Sequence, residues 1–512
     1  MGDNMARDSK VGNKDNDLSR LRLAFFPIYD SELSQFIPMC GLVFFTIFAF
    51  HLLRSVKDPL ITTAPGSSVE VLSFLKIYLV LPSTILSSIL YMRLRRSYGL
   101  YDAYNLIIGL FISFFFIFAV FIYPNADYLH PSLEQLQSWQ NAYPSFKYPL
   151  VMVGLWTHCL FYVFSELWGT FALSILFWQI ANDTTRSDQA KRFYPLYVMS
   201  GNLAMLALYP TLDHIAHNPV NDVQEASGLV VVSGMFLIGI FSYIHKNLLP
   251  TLLAENRVTD SKQKKLSFSG SIGVLMRSKY IGCIALLVLS YGIVINLVEL
   301  IWKSELNKLF PVRSDYLAFN RDYILMTGVA TIFMNYISKG VIRKMSWITG
   351  AIITPISCGI CSLLFFIFVL NKDVLSSFLL TFNVVPQAFS VWFGAYGVLI
   401  SKGSKYSFFD PTKEMVFIPL DNELRTNGKA AVDGIGGRLG KSAGGLLAST
   451  LFMVMGSPPA IEIAPILAVV VFVLTIVWIV AVVSLSKLYN KKLQENIHKE
   501  LDRGEGTISV SA

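Results

Sequence analysis

Nine ionisable residues stand in stretches otherwise built of apolar side chains. Arg54, Lys57 and Asp58 close one apolar run, in HLLRSVKDPL. Glu166 interrupts a second, in YVFSELWGTF. Glu299, Lys303 and Glu305 close a third, in NLVELIWKSEL. Arg438 and Lys441 open a fourth, in GGRLGKSAGG. A charge at the centre of a membrane-spanning helix costs about 2.5–3.5 kcal/mol on insertion scales. Such a group needs a partner of opposite sign, a water-filled cavity or a ligand. The chemistry that suits this set is electrostatic. The lysines and arginines bind an anion in a central cavity, and Asp58, Glu166 and Glu299 balance them and help a gate to close. Each position also admits a plainer role. Lys57 and Asp58 can form an interfacial ion pair at a helix end that Pro59 stops. Lys303 and Lys441 can reach the membrane surface along their own aliphatic stems. His51 and His158 are polar groups on apolar faces, suited either to carrying a proton or to hydrogen bonding within a bundle.

The stretch GGRLGKSAGG resembles the end of a nucleotide-gripping P-loop. A P-loop requires Gly-x-x-x-x-Gly-Lys-Ser/Thr between a strand and a helix. The first glycine would have to stand at 435, which is Ile435. The segment also opens an apolar helix and follows no strand. Its glycines read as small residues that let helices pack closely, and nucleotide hydrolysis is not implied.

Composition supplies the setting. Of 512 residues, 54% are hydrophobic and 15% charged, against about 25% charged in a soluble domain. The chain reads as an all-α polytopic membrane protein. Its net charge of +8 then belongs to loops, and nucleic acid is not a partner. Cys358 and Cys361 have C-x-x-C spacing within an apolar run and read as packing residues. No cofactor or metal site is indicated.

Twelve apolar runs are long enough to span a bilayer: 36–53, 74–90, 104–123, 150–180, 195–215, 228–245, 280–301, 323–341, 348–370, 374–400, 437–455 and 463–485. The fourth is too long for one upright span and is expected to tilt, to kink near Gly169 or to extend beyond the membrane. Every even-numbered run exits into a Lys/Arg-rich loop, as in RLRRSYG, TTRSDQAKR and SKGSKYSFFDPTKEM. Positive loops stay in the cytoplasm, which places both termini there. The expected organisation is an N-terminal segment (1–35), a six-helix half (36–246), a basic linker (247–278), a second six-helix half (279–487) and a tail (488–512). This 6+6 pattern is that of a major-facilitator-like bundle working by alternating access.

Long stretches resemble the ATP/ADP translocase family of obligate intracellular bacteria and plastid envelopes. They include LLRSVKDPLITTAPGS, FYVFSELWGTFALSILFWQIAN, YGIVINLVELIWKSEL and the segment from KYSFFDPTKEM to GGRLGKSAGG. The resemblance implies transport of intact ribonucleotides across a bacterial inner membrane or plastid envelope. It also implies that Lys57, Glu166, Glu299 and Lys441 match the family's four transport-critical charges. With Arg54, Lys303 and Arg438, and with Tyr162 and Tyr396 as aromatics for the base, these form the expected substrate site. Phe164 and Trp168 are further stacking candidates. The sequence departs from the family pattern at His51, at Tyr396-Gly397 and in GGLLAST. ATP/ADP exchange is the first reading. Import of other nucleoside triphosphates, by exchange or with protons, stays open. A membrane enzyme acting on a nucleotide-linked substrate is the remote alternative, and it would need a clustered metal site that the sequence does not show.

Overall fold

Helix-favouring apolar runs, broken by Gly and Pro, produce a chain in which every regular element among the described residues is helical. The computed structural model describes residues 28–29, 32–185, 187–248, 278–344, 346–421, 424–425, 428–429, 432 and 437–502. The long helices are α1 (Leu33–Thr62), α2 (Val71–Leu129), α3 (Trp156–Thr184), α4 (Ser187–His217), α5 (Asp222–Leu248), α6 (Lys279–Leu309), α7 (Arg313–Lys344), α8 (Trp347–Leu370), α9 (Pro386–Met415), α10 (Gly437–Val454) and α11 (Ala460–Asp502). Seven are long and apolar enough to cross a membrane, or eight if a bent pair before and through α9 counts as one span.

Two breaks account for part of the difference from the twelve runs of the sequence, and α4, α7 and α10, which cover the fifth, eighth and eleventh runs, are not among the seven. α2 has 59 residues, more than one crossing requires. It bends at Gly99, whose φ of 81° only glycine adopts freely. The expected run 374–400 is not one helix. A short helix, Lys372–Thr381, meets α9 at 104°. Pro386 starts α9, where the missing N–H costs nothing. α9 then runs on through Lys402 and Lys405, which the sequence had placed in a loop. The expected end of α1 also shifts. Pro59 does not stop the helix, which continues to Thr62.

Gly169, where a kink was one expectation, keeps helical backbone angles and begins a π-helical stretch, Gly169–Phe177. The run 150–180 is instead interrupted at Leu155, between helices Lys147–Gly154 and Trp156–Trp168. Leu75–Val80 in α2 and Lys405–Phe409 in α9 are π-helical too. Such wide turns cluster at functional sites. Glu166 stands three residues before the first, Lys76 lies inside the second, and Lys402 stands three residues before the third.

Buried apolar residues form two clusters. One draws on residues 28–244, with Leu317. The other centres on residues 280–489 and takes in Ile61 to Leu75 and Tyr148 to Tyr162. α1–α5 and α6–α11 thus form an N-terminal and a C-terminal helix group. Contacts between the groups gather at the end where α1 stops and α11 starts. Tyr148 donates to the carbonyls of Ser457 (3.1 Å) and Pro458 (2.7 Å). The Glu70 carboxylate accepts from Ala460 N at 2.6 Å. Asn307 donates to the Thr62 carbonyl at 3.2 Å, and Arg313 reaches Tyr123 Oη at 2.8 Å. At the opposite end, the hydrogen bonds from Arg192 to Glu32, from Tyr280 to the Val416 carbonyl and from Trp347 to the Thr412 carbonyl each lie within one group.

Candidate functional site

The charges of α1 share one face because they stand three and four residues apart. Lys57 and Asp58 are each 6% exposed. Lys57 Nζ lies 2.7 Å from Asp58 Oδ1 and 2.9 Å from Glu166 Oε1 of α3. It also sits over the Tyr162 ring, 4.1 Å from its centroid. The other oxygen of Asp58 receives Lys303 of α6 at 2.8 Å. One carboxylate is therefore shared by a lysine from each helix group.

One turn earlier on α6, Glu299 pairs with Lys402 of α9 at 2.6 Å and faces Arg54 of α1 at 3.9 Å. A further turn back, Asn296 Oδ1 accepts from Lys76 of α2 at 2.6 Å. Lys402 also lies 5.8 Å from the Tyr323 ring centroid. Among the described residues this network holds five cations (Arg54, Lys57, Lys76, Lys303, Lys402) and three carboxylates (Asp58, Glu166, Glu299). The excess positive charge suits a polyanion. Phosphate oxygens can take the place of carboxylates on the same donors through charge-assisted hydrogen bonds.

The structure thus brings together Arg54, Lys57, Asp58, Glu166, Glu299, Lys303 and Tyr162. The side chains of Arg438 and Lys441 lie outside the described residues. Glu305 is engaged elsewhere, by Lys308 and Lys372 at 2.8 Å each. The aromatics need correction. Tyr162 is fully buried beneath Lys57. Trp168 is buried too, donating to the Thr46 carbonyl. Phe164 stacks on Phe114 at 3.6 Å. Tyr396 is 48% exposed and stands six residues from Lys402, about 120° away around the helix. None of the last three faces the charge network. His158 meets His130 edge-on at 4.9 Å.

Lys76, Asn296 and Lys402 were missed in the sequence. Lys76 interrupts VLSFLKIYLV, so the rule that found Glu166 applies to it equally. Lys402 was hidden because LISKGSK reads as the start of a basic loop.

The glycine-rich segment has a packing role. A Cβ on Gly440 would stand 3.2 Å from Gly292 Cα and from the Leu289 carbonyl oxygen. One on Gly444 would stand 3.1 Å from Asn296 Cβ. These two glycines, four residues apart, let α10 lie directly on α6.

Residues 11–489 match the family described as TLC ATP/ADP transporter. The chain belongs to this family. Among relatives, ADP,ATP carrier protein 1 of Rickettsia bellii is 38% identical over 485 residues, covering 93% of this chain and 97% of that one. ADP,ATP carrier protein 3 of the same species is 35% identical, covering 92% and 98%. Crystal structures of the nucleoside transporter NupG and of a POT family transporter with a thioalcohol-conjugated peptide align with this TLC-family chain. Both have a TM-score of 0.53. Identities are 11% and 14%, with 88% of this chain and 99% and 96% of those chains covered. At such identities the likeness concerns the fold alone.

Proposed function

We propose that this TLC-family transporter exchanges ATP for ADP across a bilayer, moving each molecule intact. The observation that carries the reading is the network of five cations and three carboxylates joining α1, α2, α3, α6 and α9 between the two helix groups. With no substrate bound, Asp58, Glu166 and Glu299 occupy the cations. A nucleotide's phosphates displace them, so Arg54, Lys57, Lys303 and Lys402 turn to the substrate, together with Lys441 and Arg438. The freed carboxylates release the contact between the groups. Exchange follows because an empty network re-forms its ion pairs and resists the return step.

The two limbs of α2 and the helices α1 and α3–α11 make twelve crossing segments, six in each of the halves 36–246 and 279–487. The halves rock about the network. With both termini in the cytoplasm, the end sealed by Tyr148, Ser457 and Glu70 is the outer one, and the conformation is open inward. The membrane is a bacterial inner membrane.

The test is uptake of labelled ATP into proteoliposomes loaded with ADP, with other nucleotides, or with nothing. Exchange requires internal ADP and survives a protonophore. Uptake into empty vesicles that collapses with the proton gradient would show proton symport. Equal counter-transport of guanine, cytosine and uracil nucleotides would show a broad carrier. Conversion of the label would show an enzyme.

A further inference from the structure

Lys76, Asn296 and the glycines beside them form a feature that the ion-pair exchange above does not use. Asn296, Glu299 and Lys303 stand at positions i, i+3 and i+7 of α6, hence on one face. At 1.5 Å per residue the stripe is about 10 Å long. Each position is met by a cation or an ion pair from another helix. Lys303 meets Asp58 and, through it, Lys57. Glu299 meets Lys402 and Arg54. Asn296 meets Lys76.

The first two rungs already contain carboxylates that neutralise their cations. The third does not. Among the described residues the polar partner of Lys76 is a neutral amide. An ammonium has three donors, and Asn296 Oδ1 engages one of them. Lys76 can therefore accept an added phosphate without first giving up an ion pair. Arg54, Lys57, Lys303 and Lys402 cannot.

The surroundings keep this rung open. Gly444 of α10 abuts Asn296, where a Cβ would stand 3.3 Å from Nδ2. Gly445 abuts α2, where a Cβ would stand 3.3 Å from the Ser73 carbonyl oxygen and 3.6 Å from Lys76 Cβ. Asn296 is buried, while Lys76 is only half-buried. Lys76 also lies in the π-helical turn Leu75–Val80, which shifts its side chain relative to a regular helix.

We propose that Lys76, oriented by Asn296, binds the terminal phosphate of a nucleoside triphosphate and so sets the discrimination between triphosphate and diphosphate. The proposal rests on the nucleotide-exchange reading. A diphosphate is held by the two rungs whose cations must leave carboxylates. A third phosphate extends along the stripe to Lys76. Lys76 is then a specificity-determining residue, and Asn296 is its positioning residue.

The test measures binding of ATP and ADP to the purified full-length protein, with tripolyphosphate and pyrophosphate as base-free competitors. Lys76→Gln should weaken ATP about tenfold or more and change ADP little, and tripolyphosphate should lose its advantage over pyrophosphate. Asn296→Asp keeps the side chain's size and gives Lys76 a carboxylate, so it should reproduce that pattern with the lysine intact. Lys76→Arg should recover part of the ATP preference. Equal weakening of ATP and ADP in Asn296→Asp would overturn the proposal, as would an unchanged ATP-to-ADP ratio. If Lys76→Gln does not fold, Asn296→Asp alone decides. Failure of the exchange reading would show differently, as a wild-type protein that binds neither nucleotide.

Discussion

Glu166 and Lys402 stand in corresponding places of the two helix groups and carry opposite charges. Each precedes a π-helical turn by three residues, in α3 and α9. Each pairs with the first helix of its own group, Glu166 with Lys57 and Lys402 with Glu299. Lys57 and Lys303 correspond as well, both 24 residues after the first residue of their helix. The groups thus repeat a geometry while inverting one ion pair. Each half can then present a cation to an anionic substrate and keep a carboxylate to neutralise that cation when the substrate leaves.

This inversion separates the effects of losing a lysine and losing a glutamate. Lys57→Ala should weaken nucleotide binding by tens- to thousands-fold, because a buried charge-assisted contact is worth about 2–5 kcal/mol when truncated. Lys57→Arg should recover only part, since a planar fork does not replace a compact ammonium. Glu166→Gln and Glu299→Gln should retain binding and lose exchange. Binding and counter-transport measured on the same variants decide the matter. Unchanged affinity in Lys57→Ala would remove it from the phosphate site.

Gly440 distinguishes helix packing from phosphate cradling. The added methyl of Gly440→Ala meets backbone atoms of α6, Gly292 Cα and the Leu289 carbonyl oxygen, which cannot rotate away. Overpacking of this kind costs about 1–3 kcal/mol. The variant should melt at lower temperature in detergent, while the fraction that remains folded binds ATP with near-normal affinity. A normal melting temperature with lost ATP affinity would favour the cradle.

Much of this was legible in the sequence, and one physical rule explains why. Charges are costly in lipid, so Lys57, Asp58, Glu166, Glu299 and Lys303 announce themselves against apolar neighbours. Their partners did not follow, because pairing across α1, α3, α6 and α9 depends on how helices meet and not on spacing within one helix. Lys402 was lost because a charge near a helix end looks like a loop charge, and periodicity places ends poorly. The aromatics misled for a related reason. Tyr162 and Trp168 lie near Glu166 in sequence, but burial turns the Trp168 ring into the packing of the N-terminal group and the Tyr162 ring into the cluster centred on the C-terminal group. The glycines were read correctly as packing residues, yet nothing local told that their neighbours would be Gly292 and Asn296.

Glu32 provides a pH test outside the membrane-spanning helices. Arg192 grips its carboxylate through two contacts of 2.7 Å, and the Tyr29 N–H adds a third at 3.1 Å. The guanidinium, first among these causes, holds the Glu32 carboxyl down from 4.5 to about 2. A carboxyl depressed on folding contributes stability above its unfolded value and loses it as pH falls through the folded one. The clasp between the start of α1 and α4 should therefore be intact at neutral pH and weaken from about 4.5 toward about 2. Glu32→Gln should melt earlier than wild type at pH 7, and the gap should narrow as acid is added. A gap that is constant with pH would mean that the charge is not what holds the clasp.

The sealed end tests alternating access directly. Ser457 Oγ donates to the Ser145 carbonyl at 3.2 Å, joining the loop before α11 to the segment before α3. If this end must open for exchange, tying it shut must stop transport. The experiment replaces the five native cysteines by serine and introduces Ser145→Cys with Ser457→Cys. Nothing large must move, because cysteine and serine differ little in size. A short bifunctional thiol reagent with a reducible bridge should then abolish ATP/ADP counter-transport, and reduction should restore it. On the inward-open reading proposed above, binding should survive the cross-link, because that reading has the nucleotide reach Lys57, Lys303 and Lys402 from the opposite end. Either single-cysteine variant, treated in the same way, should transport normally. Counter-transport that continues at full rate with the bridge intact would show that this end does not open during the cycle, and that the ion pairs around Asp58 serve the bundle's architecture instead of its gate.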